Sequence, residues 1–137
     1  MIRATSHSVV SETTEGITVS VFANYEPDYS NHLQKHYVFT YEVTIHNKSE
    51  YTVQLLRRQW FIYDANALGV RTVEGEGVVG MQPVIEPGQK YTYVSGANLR
   101  AHFGKITGFY TMERLFDGKQ FAVKIPEFSM IVPYRLN

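Results

Sequence analysis

The run Gly75-Glu76-Gly77-Val78-Val79-Gly80 matches the G-x-G-x-x-G spacing with which dinucleotide-binding turns bring backbone N–H groups up to a pyrophosphate. In such a site the glycines open a helix whose N-terminus holds the phosphates, and an acidic residue about 20 positions on takes the ribose. Here Met81, Gln82 and Pro83 follow, then Pro87-Gly88, and no Asp or Glu lies between Glu86 and Glu113. The helix and the ribose partner are both missing. The spacing therefore predicts a glycine-rich loop between strands, where positive φ is needed. Gly75, Gly77 and Gly80 remain candidates for an anion-binding nest of N–H groups.

Other chemistry-bearing residues form weaker patterns. Glu74 and Glu76 stand two apart and share a face if locally extended, the one weak candidate pair for a hard cation or acid–base work; solvated acidic side chains are the better account of them. The histidines His7, His32, His36, His46 and His102 include no H-x-H or H-E-x-x-H, so no zinc site follows from spacing. There is no G-x-S-x-G elbow, P-loop or Ser-x-x-Lys, and the neighbours Ser6, His7 and Ser8 face alternate ways on a strand. The sequence predicts neither catalysis nor a cofactor.

Aromatic residues are the more telling feature, with 10 Tyr, 8 Phe and 1 Trp in 137 residues. Most must be core. Tyr25 and Tyr29 flank or enter the polar, irregular stretch Glu26 to Lys35, of the kind that presents a binding surface from a rigid scaffold. Arg57, Arg58 and Trp60 combine residue types enriched at interface hot spots, although a core Trp flanked by snorkelling arginines fits the same pattern.

These residues must be positioned by strands. Ile17, Val19, Val21 and Ala23 alternate with polar or outward neighbours, as do Tyr37, Phe39, Tyr41, Val43 and Ile45. Ile106 to Leu115 and Phe121 to Ile125 repeat the pattern around Asp117-Gly118, a hairpin signal. Gly16, Asn47 to Ser49, Asp64 to Gly69 and Pro87-Gly88 supply further turns. In Tyr51 to Asp64 the apolar phase of Val53 and Leu55 gives way to that of Trp60 and Ile62. Either a β-bulge near Arg57-Arg58 shifts the alternation by one, or the two pairs lie on opposite faces of an unbroken strand. Seven or eight short strands without a helical stripe predict an all-β chain, an antiparallel sandwich of the immunoglobulin or fibronectin type III kind.

At 137 residues the chain is one domain, 1–137, with a C-terminal tail over 129–137. The tail's Ser129 to Val132 suits a strand, and Pro133 confines it to an edge, either protected by Pro133 and Arg135 or docked through Ile131 and Tyr134 on a second copy. Thirteen basic and thirteen acidic side chains leave no net charge to attract nucleic acid or anionic membrane. The absence of cysteine, of a leader-like segment and of a run of ~18 apolar residues points to the cytoplasm.

The block Val53-Gln54-Leu55-Leu56-Arg57-Arg58-Gln59-Trp60, with Asp64, Glu74 to Pro83, Pro87-Gly88, Tyr93 and Ser95-Gly96, resembles the ApaG family. The likeness continues through Gly108, Tyr110, Met112, Gly118, Phe121 and Ile125-Pro126, with Gln59 where the family often carries His or an aromatic residue. The resemblance implies a fibronectin-type sandwich of bacterial cytoplasm and a role as a protein-interaction module. It also implies a link to cobalt and magnesium tolerance. The expectation is a non-catalytic module, monomeric or weakly dimeric, bound to a protein partner. The alternative is a pyrophosphate or nucleotide binder or hydrolase using Gly75 to Gly80.

Overall fold

The computed structural model describes residues 9–66 and 69–133. Expectations for Ser6, His7, Ser8, Tyr134 and Arg135 lie outside the described residues. Nine strands follow in order: β1 (Val10–Thr14), β2 (Ile17–Tyr25), β3 (Tyr37–Asn47), β4 (Val53–Asp64), β5 (Val70–Glu76), β6 (Val84–Ile85), β7 (Lys90–Leu99), β8 (Phe103–Arg114) and β9 (Lys119–Ile131). A single 3-10 turn, Pro27–Tyr29, is the one helical element among them.

The strands form two antiparallel sheets, ordered β1-β2-β3-β7 and β5-β4-β8-β9, with β6 added to β4. This is the expected sandwich. Period-two alternation gives each sheet one apolar face, and the two faces meet. On β3 the residues Tyr37, Phe39, Tyr41, Val43 and Ile45 are all buried, while Thr40, Glu42 and Thr44 look outward. Opposite them lie Trp60, Ile62, Ile106, Tyr110, Val123, Ile125 and Phe128.

The two margins of the sandwich differ. At one, β9 leans against β1 and β2, and the Lys124 N–H donates to Thr14 Oγ1 at 3.2 Å. At the other, β7 and β5 are the outer strands of their sheets, and Arg71 Nη2 reaches over to the Asn98 carbonyl at 3.1 Å. Ser129–Ile131 continue edge strand β9, with Pro133 beyond its last paired residue.

The phase break in β4 is a bulge. Leu55 pairs with Met112 and Arg57 with Thr111, so Leu56 is the extra residue, one position before the expected place. Val53 and Leu55 face inward before it, and Trp60, Ile62 and Asp64 after it. At the bulge β4 also changes its outer partner, from β6 to β5. The Leu56 carbonyl, free of the β8 ladder, accepts from Gly77 N at 2.8 Å and Gln82 Nε2 at 2.9 Å. A second bulge in β9 sets Pro126 and Glu127 against the single Thr107, a place where proline's missing N–H costs no ladder bond.

One buried polar residue ties the sheets' ends together. Asn47 is fully buried; its Nδ2 donates to the carbonyls of Tyr51 (2.7 Å) and Ile85 (2.9 Å), and its Oδ1 accepts from the Ser49 N–H (2.9 Å) and hydroxyl (2.7 Å). The amide is satisfied on every side, as a buried amide must be.

Candidate functional site

The glycine-rich segment lies where β4 changes partner. Gly75 is on β5, and Gly77 leaves the strand with φ +63°. A β-carbon at Gly77 would stand 2.1 Å from the Met81 carbonyl oxygen, so glycine is required by close approach as well as by φ. Val78 and Met81 exchange hydrogen bonds at 2.8 and 2.9 Å across Val79 and Gly80, whose φ values are +48° and +78°. Two successive positive φ angles make a two-residue turn of the I′ kind. The segment joins two strands and opens no helix. The N–H groups of Gly77, Val78 and Met81 all bond within the protein, to Leu56, Met81 and Val78 carbonyls respectively. Val78 plugs the core, whereas Val79 and Met81 are exposed.

Strand alternation sends the two arginines to opposite faces, and the bulge at Leu56 sets which one turns inward. Arg57 points outward, 3.9 Å from Glu74 across a solvent-exposed pair that contributes little. Arg58 turns inward on the Tyr110 side, and its Nη1 donates to the carbonyls of Glu76 (3.0 Å) and Gly77 (2.8 Å). The guanidinium passes directly over Gly75. Behind it, Tyr93 and Tyr110 share a short hydroxyl–hydroxyl bond, and Tyr41 stands opposite Ser95 across the β3–β7 ladder. Burial pushes the phenols of Tyr41, Tyr93 and Tyr110 up, against the pull of the Arg58 charge. They are neutral hydrogen-bonding groups throughout the physiological range.

The residues expected on one interaction surface are divided by the fold. Trp60 is 3% exposed and packs against Tyr41, Tyr110 and Phe128, so it belongs to the core. Tyr25 is half-buried on Phe39, and Tyr29, 73% exposed, stands on the 3-10 turn. Parity shows which side chains share a face but not whether that face is covered, and this is where the sequence reading of Trp60 stops. Glu74 and Glu76 do share a face of β5, where Glu74 meets Arg57 and Gln59. Among the described residues no three His, Cys, Asp or Glu side chains gather as a metal-holding group.

Three features were not readable in advance. The first is the β5 edge. Gly77 N bonds to Leu56 O, so by the alternation of an antiparallel ladder the backbone groups of Val70, Thr72, Glu74 and Glu76 point away from β4. Among the described residues no strand pairs with that side. The second is an apolar depression of about 340 Å³ on the outer face of the same sheet, between Phe61, Phe109 and Ala122, with Lys124 among its lining residues. The third joins His32 and His102, 70 positions apart, through Tyr37: its hydroxyl lies 2.9 Å from His32 Nδ1 and 3.0 Å from His102 Nε2.

The architecture and the bulged, glycine-turned β4–β5 ribbon define a fibronectin-like antiparallel sandwich. The ApaG domain model matches residues 27–114. The chain is 46% identical over 130 residues to Protein ApaG of Paramagnetospirillum magneticum, covering 93% of this chain and 98% of the relative. Protein ApaG of Vibrio vulnificus is 44% identical over 88% of this chain and 94% of its own. The crystal structure of the putative ApaA protein from Bordetella pertussis superposes with a TM-score of 0.82 at 36% identity, over 92% of this chain and 99% of that one. The chain belongs to the ApaG domain family. No helix among the described residues is long and apolar enough to cross a membrane.

Proposed function

We propose that this chain is a non-catalytic protein-binding module that takes an extended segment of its partner along the free edge of β5. The observation that carries this reading is the edge itself. Every residue of β5 except Gly75 is exposed, its outward backbone groups lack a strand partner, and the apolar side chains of Val70, Val73, Val79 and Met81 line the ribbon in solvent. Added strands gain affinity from main-chain hydrogen bonds and specificity from side chains beside them. Natural edges without such a role are usually blunted. Here Arg58 caps one end at the Glu76 and Gly77 carbonyls, and Arg71 holds the other near β7, leaving the middle open. A cytoplasmic stress or cobalt and magnesium setting is the context we attach to that module.

Proline scanning tests the reading. Thr72→Pro removes an outward N–H and leaves the β4–β5 ladder whole, whereas Val73→Pro removes a ladder donor. The intact domain, used as bait in its own cytoplasm, should retain a discrete partner that Thr72→Pro loses while remaining folded. A partner held equally by Thr72→Pro would move the interface elsewhere. No partner at all would remove the proposal.

A further inference from the structure

Where the chain leaves the 3-10 turn, residues Asn31 to His36 form a closed loop. Asn31 and His36 exchange backbone hydrogen bonds at 2.7 and 2.9 Å, Lys35 N donates to His32 O at 3.1 Å, and Gln34 N donates to Asn31 Oδ1 at 3.1 Å. His32 and His36 are four apart, a spacing that aligns two imidazoles only on a helix; here the loop turns His32 toward a different histidine. His102 follows β7 in the connection to β8, fixed by its carbonyl, which accepts from Val132 N at 2.8 Å. Between the two rings stands the hydroxyl of Tyr37, whose side chain is buried at the start of β3.

The two imidazole planes are 11° apart with centroids 5.6 Å apart, and both present a ring nitrogen to the same oxygen. A phenol carries one proton, so it donates to one ring and accepts from the N–H of the other. The arrangement satisfies hydrogen bonds, and it also collects three good ligand atoms. Two donors cis on a divalent ion with bonds of about 2.0–2.1 Å stand roughly 2.9 Å apart at a right angle and ~3.3 Å apart in a tetrahedron. The observed 2.9 and 3.0 Å are already at the right-angle spacing. Both imidazoles are exposed, so each can swing to aim its in-plane lone pair at a shared ion while Tyr37 stays anchored.

We propose that His32 Nδ1, His102 Nε2 and Tyr37 Oη form a surface site for a borderline divalent transition ion, with water completing the coordination. Imidazole selects copper, nickel, zinc and their neighbours, whereas magnesium requires a shell of oxygens. The protons balance simply. The ring that donates to Tyr37 shifts its proton to its other nitrogen. The Tyr37 hydroxyl gives up its proton to solvent, so one proton is released per ion bound. The bound ion would clamp the 31–36 loop to the β7–β8 connection, two segments that meet here through the stacked rings and the tyrosine's hydrogen bonds.

The test is calorimetric titration of the full chain, free of any affinity tag, with Cu2+, Ni2+, Zn2+ and Mg2+. One site should appear for the first three ions, tightest for Cu2+ as the Irving–Williams order requires, and none for Mg2+. His32→Ala and His102→Ala should each weaken binding at least tenfold, and His36→Ala should leave it intact. Tyr37→Phe should abolish the visible phenolate-to-copper charge-transfer absorption while the two imidazoles retain weaker binding. Circular dichroism of each variant confirms that the sandwich persists. Absence of stoichiometric binding by all three transition ions would overturn the site, as would unchanged affinity in both histidine variants or an equal loss in His36→Ala.

Discussion

The guanidinium of Arg58 rests over the bare α-carbon of Gly75, with Nη2, Nη1 and Cζ at 2.9, 3.0 and 3.1 Å from where a β-carbon would stand. The first glycine of the G-x-G-x-x-G run thus makes room for an arginine of the same protein. Gly77 serves a harder constraint, because a β-carbon there meets backbone, the Met81 carbonyl, at 2.1 Å. A side-chain end can move aside and a ladder carbonyl cannot.

Gly75→Ala and Gly77→Ala should therefore differ in size. The first displaces Arg58 and loosens its bonds to the Glu76 and Gly77 carbonyls, for about 1 kcal/mol. The second combines left-handed backbone strain with overlap and should cost about 3 kcal/mol or more. Urea unfolding of the two variants measures the difference, and equal costs would refute this assignment of the two glycines.

Asn47→Ala should be among the most damaging polar substitutions in the chain. It removes the amide donor to the buried Ile85 carbonyl and to the Tyr51 carbonyl, which keeps the Ser49 hydroxyl, and it takes away the acceptor of the Ser49 N–H, with each buried group left short costing about 1–3 kcal/mol. Unfolding midpoints should fall accordingly, and a loss below ~1 kcal/mol would mean that water replaces the amide.

How far the fold was legible follows from such particulars. Tyr37 to Ile45 declare their strand because one face is covered and the other is wet, and the change of parity between Leu55 and Trp60 shows for the same reason, while the choice of a bulge and its place at Leu56 come from the pairing with β8. Trp60 was ambiguous because alternation assigns a face and not its burial. Gly75 matched a nucleotide motif because a pattern of spacings carries no record of what fills the space. His32 and His102 share Tyr37 only through the register of β3 with β7, where Tyr37 pairs with Leu99, and no local spacing encodes that.

Alkaline pH should destabilise the protein through its tyrosine cluster. The phenols of Tyr41, Tyr93 and Tyr110 are raised above their ordinary value of 10.0, chiefly by burial. A raised folded-state value means that the native state keeps its protons while the unfolded chain loses them. Stability is then fully present below about pH 10 and falls as pH rises beyond it, by up to about 1.4 kcal/mol per pH unit for each group. Denaturant midpoints at pH 8 and pH 11 test this, and a flat profile would contradict it.

Val79 supplies the last prediction, because it sits where its residue type is disfavoured. It has φ +48° at the first central position of the two-residue turn, followed by Gly80 at +78°, and such turns favour Asn-Gly. A β-branched residue there carries local strain on the order of 1–2 kcal/mol. Its side chain is 63% exposed, so little packing offsets that cost. Val79→Asn should accordingly stabilise the isolated domain by about 1 kcal/mol and raise its Tm by a few degrees. If the β5 ribbon is the docking edge, the strained valine is kept for the apolar contact it offers beside Met81, and the same substitution should weaken partner binding as it strengthens the fold. Calorimetric unfolding and a binding titration on one variant separate the two effects. Greater stability with undiminished binding would detach the turn from the interface, and lower stability would show that Val79 packs in the native state more than its exposure indicates.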